Sequence, residues 1–194
     1  MRHLILLFSF AFSLVSVAAN ATTPVIDFED FAPGNFSSPV TTQGFVIDPA
    51  LAGFEAAIFT DVSPAGSGKE LGLCLHCGDS PEGISIYRND GNVFELDSFD
   101  LAFLDMVFPG TITGYLSGGG TISTGINTTG IVVFDELWVG LLSVDITFSA
   151  PSSNDFQVAF IDDITLQAVP VPAAVWLFGS GLSILGWLRR RRSA

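Results

Sequence analysis

The chain has 194 residues, with 20 acidic against seven basic side chains, 48% hydrophobic residues and 18 phenylalanines. That apolar content can bury a core, which excludes a disordered acidic tail despite the charge. All the acids lie between Asp27 and Asp163, where only Lys69 and Arg88 oppose them; the span from Thr22 to Pro172 carries a net −18, which excludes nucleic acid and suits neutral sugars or multivalent cations.

Residues 1–21 read as a secretory signal peptide. Arg2 and His3 give a polar start, Leu4 to Ala18 is apolar, and Ala19-Asn20-Ala21 supplies small residues at the cleavage spacing. An N-terminal transmembrane helix is the alternative; the run is short and ends in A-x-A, which favours cleavage after Ala21.

Residues 22–168 predict an all-β domain. Short apolar runs alternate with Gly, Pro, Asn, Asp and Ser, and no window before Pro172 sustains helical periodicity. The runs are Val25–Phe28, Gly44–Ile47, Ala57–Thr60, Ile84–Tyr87, Val93–Leu96, Phe99–Leu104, Thr111–Leu116, Ile131–Phe134, Leu137–Phe148 and Phe156–Leu166. Strands at this spacing predict a jelly-roll-like β-sandwich. Asp90-Gly91 inside "NDGN" predicts a tight hairpin link. In "VFELDSFDLAFL" the apolar parity shifts between Leu96 and Phe99, so a bulge or bend is expected at Asp97-Ser98. "GGGTISTGINTTGI" reads as a hairpin or mobile loop. Trp138 shares parity with Leu142 and Ile146 and is expected in the core rather than as a ligand platform.

The two cysteines form Cys74-Leu75-His76-Cys77. In an oxidising compartment they predict a structural disulfide, because the chain lacks the further ligands a zinc site wants and the βαβ context of a redox pair. Once the signal peptide is removed, His76 is the last histidine, so a two-histidine metal centre cannot be built and a Ser-His-Asp triad only if His76 serves alone; the domain is expected not to be an enzyme. Paired carboxylates could in principle hydrolyse sugars, but with this many acids some pairs arise by chance. Nothing asks for an organic cofactor.

At the end of the domain Phe156, Val158, Phe160, Ile164 and Leu166 share one parity, and Asp162 shares it with them. An inward carboxylate needs a partner, and a cation fits where bases are scarce; otherwise Asp162 sits at a rim, bonded to a turn. The opening Phe28-Glu29 and the closing Asp162-Asp163-Ile164 resemble galactose-binding-type jelly rolls, including many carbohydrate-binding modules. That resemblance implies one structural calcium tying the first strand to the last, through Glu29 and Asp162, with Asp163 as a further ligand.

Residues 169–194 differ from the rest. Ala173 to Leu188 carries no charge, and a helix from Val169 to Leu188 would span about 30 Å, the thickness of a bilayer core. Trp176 and Trp187 stand near its ends, and Arg189, Arg190, Arg191 and Arg192 would stay cytoplasmic under the positive-inside rule. The order Val169-Pro170-Val171-Pro172-Ala173, apolar helix, arginine run resembles the PEP-CTERM sorting signal in its V-P-x-P-A variant. The resemblance implies a Gram-negative host that makes exopolysaccharide, a transient stay in the inner membrane, and processing by an exosortase-type enzyme near the proline motif. The mature protein would then reach the cell surface or extracellular matrix. The sequence thus predicts an exported, non-catalytic matrix protein associated with exopolysaccharide. The alternatives are a carbohydrate-binding module with a defined glycan or, further off, a surface glycoside hydrolase.

Overall fold

A computed structural model describes residues 23–36, 38–49, 56–60, 68–74, 82–104, 107, 109–149 and 158–169. The signal peptide, Cys77, Pro170, Pro172, Ala173 and Arg189 to Arg192 lie outside them. Among the described residues there is no α-helix, and no helix long and apolar enough to cross a membrane.

The described residues form thirteen strands in order: β1 Val25–Ile26, β2 Gly34–Phe36, β3 Val40–Thr42, β4 Phe45–Asp48, β5 Ala56–Thr60, β6 Lys69–Cys74, β7 Glu82–Arg88, β8 Phe94–Phe103, β9 Gly110–Leu116, β10 Thr121–Ile126, β11 Gly130–Val133, β12 Val139–Phe148 and β13 Val158–Ala168. Every pairing is antiparallel. The ladder divides into two leaves. The first runs β2-β5-β6-β13-β8-β11, with β1 beside β6 on the same edge of β13. The second runs β3-β4-β7-β12-β9-β10. Among the described residues the ladder joins the leaves where the start of β12 turns from β8, at Val139 and Leu141, with a register shift between them.

The period of two along each strand fills the space between the leaves. Phe94, Leu96, Phe99 and Leu101 of β8, Ile84 and Ile86 of β7, and Val144, Ile146 and Phe148 of β12 form one buried cluster. Edge-to-face aromatic pairs cross it, Phe45 on Phe94 at 5.4 Å and Phe103 on Phe148 at 5.8 Å. Trp138 lies in this core, 4% exposed, as expected, but not through the parity it shares with Leu142: the register shifts around Gly140, at φ 72°, bury Leu141 and leave Leu142 44% exposed.

Two local expectations fare differently. The bulge at Asp97-Ser98 is present: Thr165 pairs Ser98 and Leu166 pairs Leu96, leaving Asp97 as the extra residue. The turn at Asp90-Gly91 also forms, with Gly91 at φ 70° and its N–H donating to Arg88 O. It is no hairpin, however, because β7 and β8 lie in different leaves and do not pair. The Asp90 carboxylate accepts from Arg88 and from the Asn92 N–H, so local polar bonds fix a turn that carries the chain across the sandwich.

A candidate polysaccharide-binding face

The outward residues of the second leaf follow from the same alternation. Where Ile84, Ile86, Ile112, Val144 and Ile146 point into the core, Ser85, Tyr87, Thr111, Thr113, Tyr115, Ser143, Asp145 and Thr147 point away from it. The register aligns them in rows across the strands. One row reads Thr41, Val46, Tyr87, Ser143, Tyr115, Thr121, and the next reads Asp48, Ser85, Asp145, Thr113, Ser123. Six strands at about 4.8 Å spacing make the first row roughly 24 Å long.

Both tyrosines of the chain stand in that row. Tyr115 is 40% exposed, and its hydroxyl donates to Asp145 Oδ2 at 2.9 Å. Ser85 Oγ donates to Asp145 Oδ1 at 2.8 Å. Asp145 therefore holds the Tyr115 ring in place from one side and is itself anchored from the other. Tyr87 leans toward Asp48 at a long 3.5 Å. The Asp145 carboxylate raises the Tyr115 phenol above its ordinary pKa, chiefly through the hydrogen bond, so the ring stays neutral. The face thus offers hydroxyls, carboxylate oxygens and two rings in rows. Its nearest cation, Arg88, is occupied by Asp90 and lies over the Phe45 ring at 5.6 Å. Such a surface can exchange hydrogen bonds with a hydroxylated ligand and pack against its C–H faces, while lacking a charge to hold an anion.

This face was legible as Ser143-x-Asp145-x-Thr147, Thr111-x-Thr113-x-Tyr115 and Ser85-x-Tyr87, a polar period of two on three strands. Searching for a tryptophan platform passes over it.

A cleft of about 310 Å³ opens beside it, between the last residues of β10 and strand β11. Thr124, Asn127 and Asp135 line it with Val132, Phe134 and Trp138.

The residues singled out for calcium are placed otherwise. Glu29 Oε1 accepts the Lys69 N–H at 2.9 Å. Lys69, the one lysine of the chain, donates from Nζ to Glu29 O and to Phe31 O. Gly68 makes this possible: a Cβ there would overlap the Glu29 carboxylate, and φ is +142°. Asp162 does not point into the core. Asp163 adopts φ 48° and β13 shifts register there, so Ala159 and Ile161 join the core on one side of it and Ile164 and Leu166 on the other. Val158 and Phe160 form a second cluster with Ala102 on the outer face of the first leaf. Asp162, on their side, pairs across the ladder with Asp100 and lies 9% exposed with Oδ1 unbonded. Burial first, then the Asp163, Glu70 and Asp27 carboxylates, push its pKa up to about 7, against a partly offsetting bond from the Asp163 N–H. Glu29 is not in that group. Among the described residues no three of His, Cys, Asp or Glu are placed to hold a metal. Cys74 ends β6, and Val169 directly follows β13.

No protein-family model matches the chain, and no curated protein matches its sequence. Among solved structures, an exo-β-agarase aligns at 13% identity with a TM-score of 0.49, over 77% of this chain and 26% of its own. The agarase AgWH50C gives 12% and 0.38 over the same shares. TmCBM61, in complex with β-1,4-galactotriose, gives 14% and 0.35 over 74% of this chain and 91% of its own. The chain thus spans about a quarter of the length of the two agarases. Identities this low bear on fold alone, and scores under 0.5 leave the site to be read from its own residues.

Proposed function

We propose that the protein is an exported, non-catalytic polysaccharide-binding component of a surface or matrix layer, with its ligand held on the outer face of the second leaf. The observation that carries this reading is the Asp145 network, which fixes the exposed Tyr115 ring within rows of hydroxyls. Affinity electrophoresis in neutral polysaccharide gels tests it. Tyr115→Ala removes the ring and Asp145→Ala its anchor, so each should lower affinity about tenfold or more while the melting temperature changes little. Retardation equal to the parent's in both variants would refute the face. The same purified protein should release no reducing ends, which separates it from a hydrolase.

Delivery rests on the sequence order Val169-Pro170-Val171-Pro172-Ala173, apolar run, Arg189 to Arg192. Processing by an exosortase-type enzyme predicts that mass spectrometry of surface-exposed protein from the native host finds no arginine tail. An intact C-terminus on that protein would overturn the sorting step but not glycan binding.

A further inference from the structure

The most exposed large apolar side chains among the described residues sit within seven positions: Ile131 at 73%, Val133 at 74% and Leu137 at 65%. Ile131 and Val133 belong to β11, the edge strand of the first leaf, whose register on β8 pairs Ile131 with Asp100 and Val133 with Ser98. The Phe134 N–H donates to Asp97 O at 2.9 Å. Antiparallel alternation then directs the N–H and C=O of Val132 to β8, and those of Ile131 and Val133 to the open side. The cleft lies along that side, bounded by Val132, Val133 and Phe134.

This edge is short but otherwise lightly protected. It has no lysine, no proline and no inward charge. Charge selects the partner. From Met106 to Phe134 the chain has no acidic or basic residue at all, within a domain of net −18. Two copies of so acidic a molecule repel over most of their surfaces; β11 carries no charge of its own, and the acids beside it are Asp100, opposite Ile131, and Asp135 and Glu136 after Phe134, so approach is least opposed along β11 itself.

We propose that β11 is a self-association edge, on which a second copy of this chain pairs antiparallel. An axis at Val132 sets the free groups of Ile131 and Val133 of one copy against those of Val133 and Ile131 of the other, using all four within the strand. Ile131 of one copy then stands opposite Val133 of the other, and the first leaves join into one continuous sheet. Four edge residues bury too little for a permanent dimer, so association is weak and concentration-dependent. Its salt dependence is distinctive: screening relieves the surrounding repulsion while the contact itself has no ion pair to lose.

Sedimentation equilibrium of the full chain in density-matched mild detergent tests this at low and high salt. The expected result is a monomer–dimer equilibrium, about tenfold tighter or more at 0.5 M than at 0.05 M salt, on the order of the screening change between those strengths. Ile131→Lys with Val133→Lys should leave only monomer, with unchanged melting and unchanged polysaccharide retardation, since both side chains are exposed and off the binding face. Thr121→Lys on β10 should still dimerise. Monomer at every concentration would overturn the proposal, as would dimerisation that survives the double variant, weakens with salt, or grows without closing. Polysaccharide retention is read separately, so failure of the edge and failure of the binding face are distinguishable.

Discussion

Asp162 shows what one misplaced residue does to a carboxylate. Had β13 kept a strict period of two, Asp162 would have entered the core with Phe160; the left-handed Asp163 reverses the phase and leaves it buried beside Glu70 and Asp27 on the far side. Its folded pKa of about 7 stands above the unfolded value near 3.9. The native state therefore binds the extra proton between these two values, and stability falls as pH rises through that window. Below about pH 4 both states are protonated and the contribution is complete; above about pH 7 it is gone. Thermal melts from pH 4 to 7.5 should show a decline of several degrees. Asp162→Asn should flatten the part of that decline not due to general charge repulsion. A slope identical in parent and variant would mean that Asp162 ionises like an exposed carboxylate.

At the scale of the element, the strap from Phe28 to Phe31 is tied to β6 by one lysine. Lys69 Nζ reaches two strap carbonyls and its N–H reaches the Glu29 carboxylate. An ammonium thus stands at Glu29, where the resemblance to calcium-binding jelly rolls implies a metal. Lys69→Met removes both charge-assisted donors and should cost about 1–3 kcal/mol, seen as a lower melting temperature. Added calcium should restore none of it, and a calcium-specific recovery would return Glu29 to the role of metal ligand. The strands that sequence alone outlined are those with alternating apolar residues long enough to show a period, such as β8, β9 and β12. The three-residue strands β2 and β3 escaped because they pair through backbone groups with little side-chain pattern, and β10, whose outward positions are threonine, serine and glycine, was outlined only as a hairpin or mobile loop; it forms the hairpin with β9. The bulge at Asp97 was legible, since two apolar runs of opposite parity flank it. The bulge at Asp163 was not: Val158, Phe160, Ile164 and Leu166 keep one parity across it, because apolar residues lie on both sides of the first leaf before it and on the core side after it.

The whole molecule combines a strongly acidic body with one uncharged flank, and this governs which polymer it can hold. The binding face takes two of its six strands, β9 and β10, from the uncharged segment, and the four residues in its two long rows from those strands are Tyr115, Thr121, Thr113 and Ser123. In the same rows the other strands contribute carboxylates, Asp48 of β4 and Asp145 of β12, and no free base. A uronate- or sulfate-bearing chain would meet the summed field of the acids as well as those two carboxylates; a neutral chain meets neither penalty. Retention of neutral polysaccharide should therefore be nearly independent of salt, since no counterions are released when uncharged partners bind. Anionic polysaccharide should be excluded at low salt and at most weakly retained when salt screens the field. Affinity electrophoresis on matched neutral and sulfated forms of one polysaccharide, at 0.05 and 0.5 M salt, separates the cases. Stronger retention by the sulfated form at low salt would require a basic surface that the described residues do not supply. It would move the ligand away from the second leaf altogether.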